Sequence, residues 1–177
     1  MKILNSNNKN FDRQLDQLLS IRKNKVQSSS VSVTSIIKDV KKNGDKALLK
    51  YEKRFNKNLT IVPTSKQISK LTKNLDKKVK EAIDNAYDRI YKFHSLQKVK
   101  NISYNDKFKN KLEYRFLPIE SVAIYVPGST VSYPSSVLMN AIPAIIAGVK
   151  RIVMINPGYK GKQNPGVLYA ARKCKIK

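Results

Sequence analysis

The loop that follows the apolar run SVAIYV carries the side chains best suited to chemistry in this sequence. Its residues, YVPGSTVSYPSS at 125–136, include one glycine, several hydroxyl groups and the aromatic side chains Tyr125 and Tyr133. In open α/β sheets, ligands collect at the carboxyl ends of the strands, because loops and helix N-termini present free backbone N–H groups there. The pattern favours a site for an anionic or aromatic cofactor. It is not a G-x-G-x-x-G fingerprint, so a purely structural turn is the alternative.

The segments on either side of this loop predict the elements that would position it. SVAIYV and KRIVMINPG are runs of β-branched and apolar residues, which are typical of strands buried on both faces of a parallel sheet. Between them lies a nearly all-apolar helix, which Ser135 or Ser136 would cap and Gly148 would close. We expect one β–α–β unit over about 121–156, with parallel strands, and a further helix after Pro165.

The chain up to residue 118 is predicted to be mainly helical. Apolar residues recur at helical spacing from Phe11 onward, and polar NKVQSSS is expected to end the first helix. Gly44 supplies a turn between two short helices. TIVP is expected to form a short strand, followed by a capping box between Thr64 and Gln67. The alternation in KLEYRF predicts a small β-hairpin.

These elements together predict an α/β fold in two parts. Residues 1–118 would form a helical region with a hairpin, and residues 119–177 would begin an incomplete parallel sheet. Because two strands leave exposed sheet edges, something outside this chain, or further sequence, is expected to complete the sheet.

The charge of the chain raises the question of a nucleic-acid or membrane partner. There are 36 Lys and Arg against 12 Asp and Glu, a formal net charge of +24. Lysines greatly outnumber arginines and are spread along the chain, whereas phosphate-binding proteins concentrate charge and use arginine forks. A compositional bias is therefore favoured over nucleic-acid binding. A basic nucleic-acid-binding module is the alternative.

The cysteine and histidine content limits the chemistry further. The single Cys174 cannot form an intramolecular disulfide, and with the single His94 it cannot build a Cys/His zinc site. His94 is expected to be a packed residue at a helix end and not a catalytic base. No apolar run approaches the roughly 20 residues that span a bilayer, and the first residues lack a signal-peptide core. A cytoplasmic protein without a membrane partner is expected.

Four blocks of this sequence resemble histidinol dehydrogenase in order and spacing. They are YVPGSTVSYPSSVLMNAIPAIIAGVKRIVMINPG, with VKKNGDKALLKYEKRF and FHSLQ before it and NPGVLYAARKC after it. The resemblance runs from about Ser30 to the last residue and covers less than half of a family member. It implies incomplete Rossmann-like domains in a cytoplasmic homodimer that depends on zinc and NAD. Such an enzyme oxidises L-histidinol to L-histidine in two hydride-transfer steps through an aldehyde.

The resemblance assigns one site residue, a cofactor-binding one. Tyr125 matches the tyrosine of the family's Tyr-x-Pro-Gly-Gly motif that contacts NAD. Ser129 stands where the family usually has the second glycine, and its side chain could restrict the approach of a cofactor. The family's catalytic, zinc-binding and substrate-binding residues lie beyond the point that matches Lys177, so none is assigned. The chain is expected to be an inactive portion of the enzyme; a scaffold that pairs with a full-length homologue is a further alternative.

Overall fold

The computed structural model describes residue 4 and residues 6–128 and 131–176, except for the side chains of residues 21–32. The contacts divide the chain into two compact units, Met1–Lys50 and Tyr51–Lys177. The division into 1–118 and 119–177 stays a prediction. The helices and strands, in chain order, are α1 (Phe11–Phe55), α2 (Ser65–Lys73), α3 (Lys77–Ser95), β1 (Ile102–Asn105), β2 (Lys111–Tyr114), β3 (Ser121–Tyr125), α4 (Pro134–Ala147), β4 (Arg151–Ile155) and α5 (Pro165–Lys173).

Helix α1 is longer than predicted and is interrupted at Gly44. The predicted helix end at NKVQSSS is wrong, since the backbone stays helical there. Asn, Gln and Ser cost only a few tenths of a kcal/mol each in a helix, and the segment contains no Gly or Pro. The turn at Gly44 is confirmed by its non-helical φ of 55° and ψ of −137°. Glycine adopts this positive φ without a Cβ penalty, so α1 consists of two helices that meet at Gly44.

The start of α2 confirms the predicted capping box. The N–H of Gln67 donates to Thr64 Oγ1 at 3.3 Å, and the N–H of Thr64 donates to Gln67 Oε1 at 2.7 Å. The strand predicted just before it is wrong, because residues 60–63 contain bends and no strand. A strand needs a partner for its backbone groups, and Pro63 has no N–H to contribute to a ladder.

The two pairs of strands agree with the predicted topology. Strands β1 and β2 form the antiparallel hairpin. Strands β3 and β4 are parallel neighbours, in register from Ser121 opposite Arg151 to Tyr125 opposite Ile155, and α4 lies between them along the chain. The β–α–β unit and the α/β fold class are therefore confirmed.

The prediction that the strands of this parallel sheet are buried on both faces is wrong. In β3, Ile124 is buried and Val122 is half-buried, while Ser121, Ala123 and Tyr125 are exposed. Successive side chains of a strand point to opposite faces, so one face of β3 is covered and the other is exposed. In β4, Ile152, Val153 and Met154 are all half-buried, so neither strand is fully buried on both faces. An apolar run shows that a strand can be buried, but it does not show whether elements are present to cover both faces.

The core of the second unit lies between α3, α4, α5 and the covered face of the parallel sheet. Helix α3 packs on α4 and α5, and α4 packs on α5. The buried residues of this cluster are Ile83, Ile124, Val126, Val137, Leu138, Ala141, Ile142, Val167, Ala170, Ala171 and Cys174. Helix α3, which precedes the hairpin in the sequence, therefore shares a core with the β–α–β unit.

Helix α4 begins two residues earlier than a cap at Ser135 would allow. Its N-cap is Tyr133, with Pro134 at the first helical position, so the prediction of Ser135 or Ser136 as the cap is wrong. The φ of proline is already helical, and its missing N–H would have no intrahelical acceptor at this position. The predicted end of α4 at Gly148 is confirmed by its left-handed φ of 91°.

A polar contact ties α3 to α5. Tyr169 Oη donates to Asp84 Oδ2 at 3.0 Å, and Lys173 Nζ lies 2.9 Å from Asp84 Oδ1. That ion contact stabilises Oδ1, which has no well-directed hydrogen bond. The Lys173 ammonium is the largest cause of a lowered Asp84 pKa; burial opposes the shift and the Tyr169 hydroxyl adds to it.

Asp84→Asn removes the ion pair with Lys173, so we expect it to lower the free energy of unfolding at neutral pH. The loss should be only about 1 kcal/mol, because solvent screens this partly exposed pair. The folded-state pKa of Asp84 lies below its ordinary 3.8. The contribution is therefore present above about pH 4 and is lost as the pH falls through the folded-state pKa. Urea unfolding of both proteins at neutral pH and near pH 2 measures it. Asp88→Asn, at an exposed position of α3, is the control, and a pH-independent difference for Asp84→Asn would contradict the prediction.

Cys174 is buried directly after α5. Burial raises the pKa of its thiol to about 11, with the Lys173 ammonium opposing the shift. Because the thiolate is the reactive form, we expect iodoacetamide to label the native chain about 100-fold more slowly than the urea-unfolded chain at pH 8. A mass-spectrometric time course measures both rates. Equal rates would show that the thiol is accessible in the native chain.

Candidate functional site

The candidate site lies at the carboxyl ends of β3 and β4, which we call the strand-end rim (125–128, 131–136 and 156–158). Tyr125, the predicted cofactor contact, is the last residue of β3, and its side chain is 62% exposed. Its backbone neighbours are held firmly. The N–H of Val126 donates to the carbonyl of Ile155 at 2.9 Å, and Asn156 Nδ2 donates to the carbonyl of Val126 at 2.8 Å. The exposed ring of Tyr125 therefore projects from a strand end whose next residue is hydrogen-bonded through both its N–H and its carbonyl.

Two helices begin near this rim, and their first turns differ. Asn164 caps α5, where its Oδ1 accepts from the N–H groups of Gly166 at 2.9 Å and Val167 at 3.2 Å. Ser132 Oγ donates to the same oxygen at 3.0 Å, which joins the loop after β3 to the start of α5. In contrast, no side chain of the described residues caps α4. The positive end of the α4 dipole is thus the one open to an anion.

Gly128 lies where the loops after β3 and β4 cross. A Cβ atom at this position would overlap the carbonyl group of Pro157, so only glycine fits. The sequence pattern indicated only a loop or turn at Gly128 and did not reveal this role, since the neighbour that demands glycine is remote in sequence. Ser129, with the predicted effect of its side chain on the cofactor, lies outside the described residues.

The described residues do not bring together a metal site. Among them, no three His, Cys, Asp or Glu side chains are close enough to hold an ion. His94 is half-buried at the end of α3, with Nδ1 2.7 Å from Gln97 Oε1 and the Phe93 ring edge-on to it. These are contacts within one helix end. The donors in the described part of the chain therefore do not fit zinc, and we derive no step through it.

A groove of about 1040 Å³ lies elsewhere in the second unit. It is lined by Tyr87, Asp88, Tyr91, Lys92, Ile145, Val149, Lys150, Arg151, Ile152, Val153, Lys173, Cys174 and Lys175. Its β4 residues are the first three of that strand, so the groove lies away from the strand-end rim. We take the strand-end rim and not this groove as the candidate site, because the rim lies where α/β sheets bind ligands.

None of the described helices is long and apolar enough to span a membrane.

Comparison with known proteins places these features in a family. The family model for histidinol dehydrogenase matches residues 19–177. The histidinol dehydrogenase of Pelagibacter ubique is 77% identical over 177 residues, covering 100% of this chain and 41% of that protein. That of Mesorhizobium japonicum is 39% identical over 172 residues, covering 95% and 40%. A crystal structure of histidinol dehydrogenase from Elizabethkingia anophelis matches with a TM-score of 0.78 and 33% identity, covering 84% of this chain and 35% of that one.

The chain spans about two-fifths of the length of these curated relatives. The family match covers most of the chain, and the solved structure shares its fold at an identity well above the level expected from fold alone. The resemblance stated from the sequence is confirmed: the chain belongs to the histidinol dehydrogenase family.

Proposed function

We propose that this chain supplies part of the NAD-binding rim of a histidinol dehydrogenase. The whole protein would oxidise L-histidinol to L-histidine at the end of histidine biosynthesis. One observation carries the proposal. Tyr125 is exposed at the carboxyl end of a parallel strand, in the same rim as the uncapped start of α4. This rim is where open α/β sheets bind nucleotide cofactors.

The rim residues suit different parts of such a cofactor. NAD, when bound, supplies a hydride acceptor for the alcohol and then for the aldehyde. Tyr125 offers a flat apolar ring and a hydroxyl, which suit a nicotinamide or adenine ring and a ribose hydroxyl. The positive end of the α4 dipole suits a phosphate. Pro134 contributes no N–H there, and the N–H of Ser136 donates to the carbonyl of Tyr133 at 3.1 Å, so the attraction comes mainly from the dipole. Gly128 keeps the two rim loops in contact and so maintains the position of Tyr125.

The proposal assigns no catalytic or metal-binding residue to this chain. Zinc binding, the substrate site, homodimer formation and a cytoplasmic location would be properties of the whole family protein. Oxidation of an alcohol needs a titratable group against the substrate to accept the hydroxyl proton. The strand-end rim presents tyrosine, serine and asparagine side chains but no carboxylate or histidine. The chain alone should therefore produce no NADH from L-histidinol with zinc and NAD, and clear production would refute this assignment.

The role of Tyr125 is tested by measuring NAD affinity. We expect Tyr125→Ala to weaken NAD binding about tenfold, since one aromatic contact contributes about 1–2 kcal/mol. Isothermal titration calorimetry of the chain measures the affinity. Tyr104→Ala is a matched control, because Tyr104 in the hairpin is exposed to a similar extent. Unchanged affinity in Tyr125→Ala, or no NAD binding at millimolar concentration, would contradict the proposal.

A further inference from the structure

One face of the β1–β2 hairpin is apolar and exposed. Ile102 lies opposite Tyr114, and Tyr104 lies opposite Leu112. Directly opposed residues of an antiparallel pair project from the same face, so the four side chains form one patch. Each is between 57% and 62% exposed. The Phe116 ring extends the patch, with its centroid 4.7 Å from that of Tyr114. Contiguous exposed apolar surface with a polar border is typical of interaction sites.

The opposite face of the hairpin is polar, and its charges are paired within it. Glu113 contacts the Lys111 ammonium at 2.8 Å and also the Arg115 guanidinium. Its cross-strand partner is Ser103, and Asn105 lies opposite Lys111. The hairpin therefore has one apolar face and one polar face. A two-stranded hairpin is marginal alone in water, and its apolar side is the side that gains from a partner.

The turn of the hairpin is already ordered without a partner. Asp106 Oδ1 accepts from the N–H groups of Phe108 and Asn110, both at 2.8 Å, and Oδ2 accepts from Asn110 Nδ2 at 2.9 Å. At the base, Asn101 Oδ1 accepts from the N–H of Phe116 at 2.8 Å. A partner would therefore meet a preformed surface, which reduces the entropy cost of binding.

We propose that this apolar face is the docking surface for the part of a histidinol dehydrogenase polypeptide that lies outside the region this chain matches. The match covers 41% of the Pelagibacter protein and 35% of the Elizabethkingia chain, so most of each relative lies beyond it. A second copy of this chain is a poorer occupant, because a net charge of +24 on each copy opposes self-association.

The charged residues that precede the hairpin and form its turn indicate what kind of partner surface would bind the patch. Exposed Lys98 and Lys100 precede β1, and exposed Lys107 and Lys109 lie in the hairpin turn. Lys107 Nζ lies 5.0 Å from the centroid of the Phe108 ring in this turn. The partner segment should therefore have an apolar centre and acidic side chains at its border. The proposal rests on family membership and not on the NAD-binding rim.

Co-expression tests the docking surface directly. Tagged chain 1–177 is co-expressed with the unmatched part of the Pelagibacter relative, and the amount that co-purifies is measured. We expect the double variant Tyr104→Ser/Leu112→Ser to weaken binding about 100-fold, since it removes the centre of the patch. The matched control is Asn105→Ser/Lys111→Ser, the neighbouring opposed pair on the polar face, which should bind within about threefold of the original chain. Equal loss in both variants, or no binding by the original chain, would overturn the proposal.

A second measurement needs no variant and so does not depend on the folding of one. Hydroxyl-radical footprinting reports the oxidation rates of Tyr104 and Tyr114 in the chain alone and in the co-purified complex. We expect protection of about fivefold or more in the complex, as for side chains that lose most of their exposure. Unchanged rates would overturn the proposal. So would dimerisation of the chain alone, or its binding to anionic vesicles, if the Tyr104/Leu112 variant abolished either one. NADH production is not a readout here, so failure of this proposal is distinct from failure of the NAD-binding proposal.

Discussion

Gly128→Ala is expected to lower the free energy of unfolding by about 2–4 kcal/mol and to abolish measurable NAD binding. The added Cβ would overlap the carbonyl of Pro157, so one of the two rim loops must move. Overpacking costs about 1–3 kcal/mol. Movement of the loop after β4 also threatens the 2.8 Å hydrogen bond from Asn156 to the carbonyl of Val126, worth about 1 kcal/mol. Thermal unfolding and NAD titration measure the two effects.

Gly148 provides a control that separates crowding from backbone strain. Its φ is 91°, and a Cβ there would lie 3.6 Å from Pro118 Cγ, which is ordinary contact. Gly148→Ala should therefore cost only about 1–2 kcal/mol, and Gly148→Asn less, because asparagine tolerates left-handed backbone. At position 128 the order should reverse, with asparagine worse than alanine because its side chain is larger. A mild effect of Gly128→Asn would show that the loops can separate at little cost.

Leu138→Ala is expected to lower the free energy of unfolding by about 2–5 kcal/mol, the usual range when a buried leucine leaves a cavity. Leu138 is 1% exposed, in a cluster that joins α4 to α3, α5 and β3. A domain of this size is stable by about 5–15 kcal/mol, so the variant would lose a large share. Urea unfolding monitored by circular dichroism measures the change.

Met139 is the matched control for this prediction. It is the next residue along α4 and is 53% exposed, so it has little packing to lose. Met139→Ala should change the free energy of unfolding by less than about 0.5 kcal/mol. Similar effects at both positions would show that α4 is not oriented with Leu138 towards the core. That outcome would also remove support for the position of the strand-end rim, since α4 begins there.

Local residue chemistry was sufficient to predict most of the elements. Helical spacing of apolar residues predicted a mainly helical region up to residue 118, continuous apolar runs predicted the β–α–β unit, and the Thr64–Gln67 pair predicted the start of α2. Glycine predicted the interruption at Gly44 and the end of α4 at Gly148. The error in the predicted start of α4 arose because two local sequence patterns competed. At the start of α4, proline at the first helical position prevailed over two possible serine caps.

The position of Tyr125 at the end of a parallel strand also followed from the sequence, because an apolar strand with a turn after it has few places in an α/β fold. Three other features required the tertiary structure. These were the exposed face of β3, the steric need for glycine at position 128 and the exposed apolar face of the hairpin. Alternation and hydrophobicity describe what one segment can bury. Which neighbour covers it, or crosses it closely, depends on residues far away in the chain, and only the folded arrangement brings those residues together.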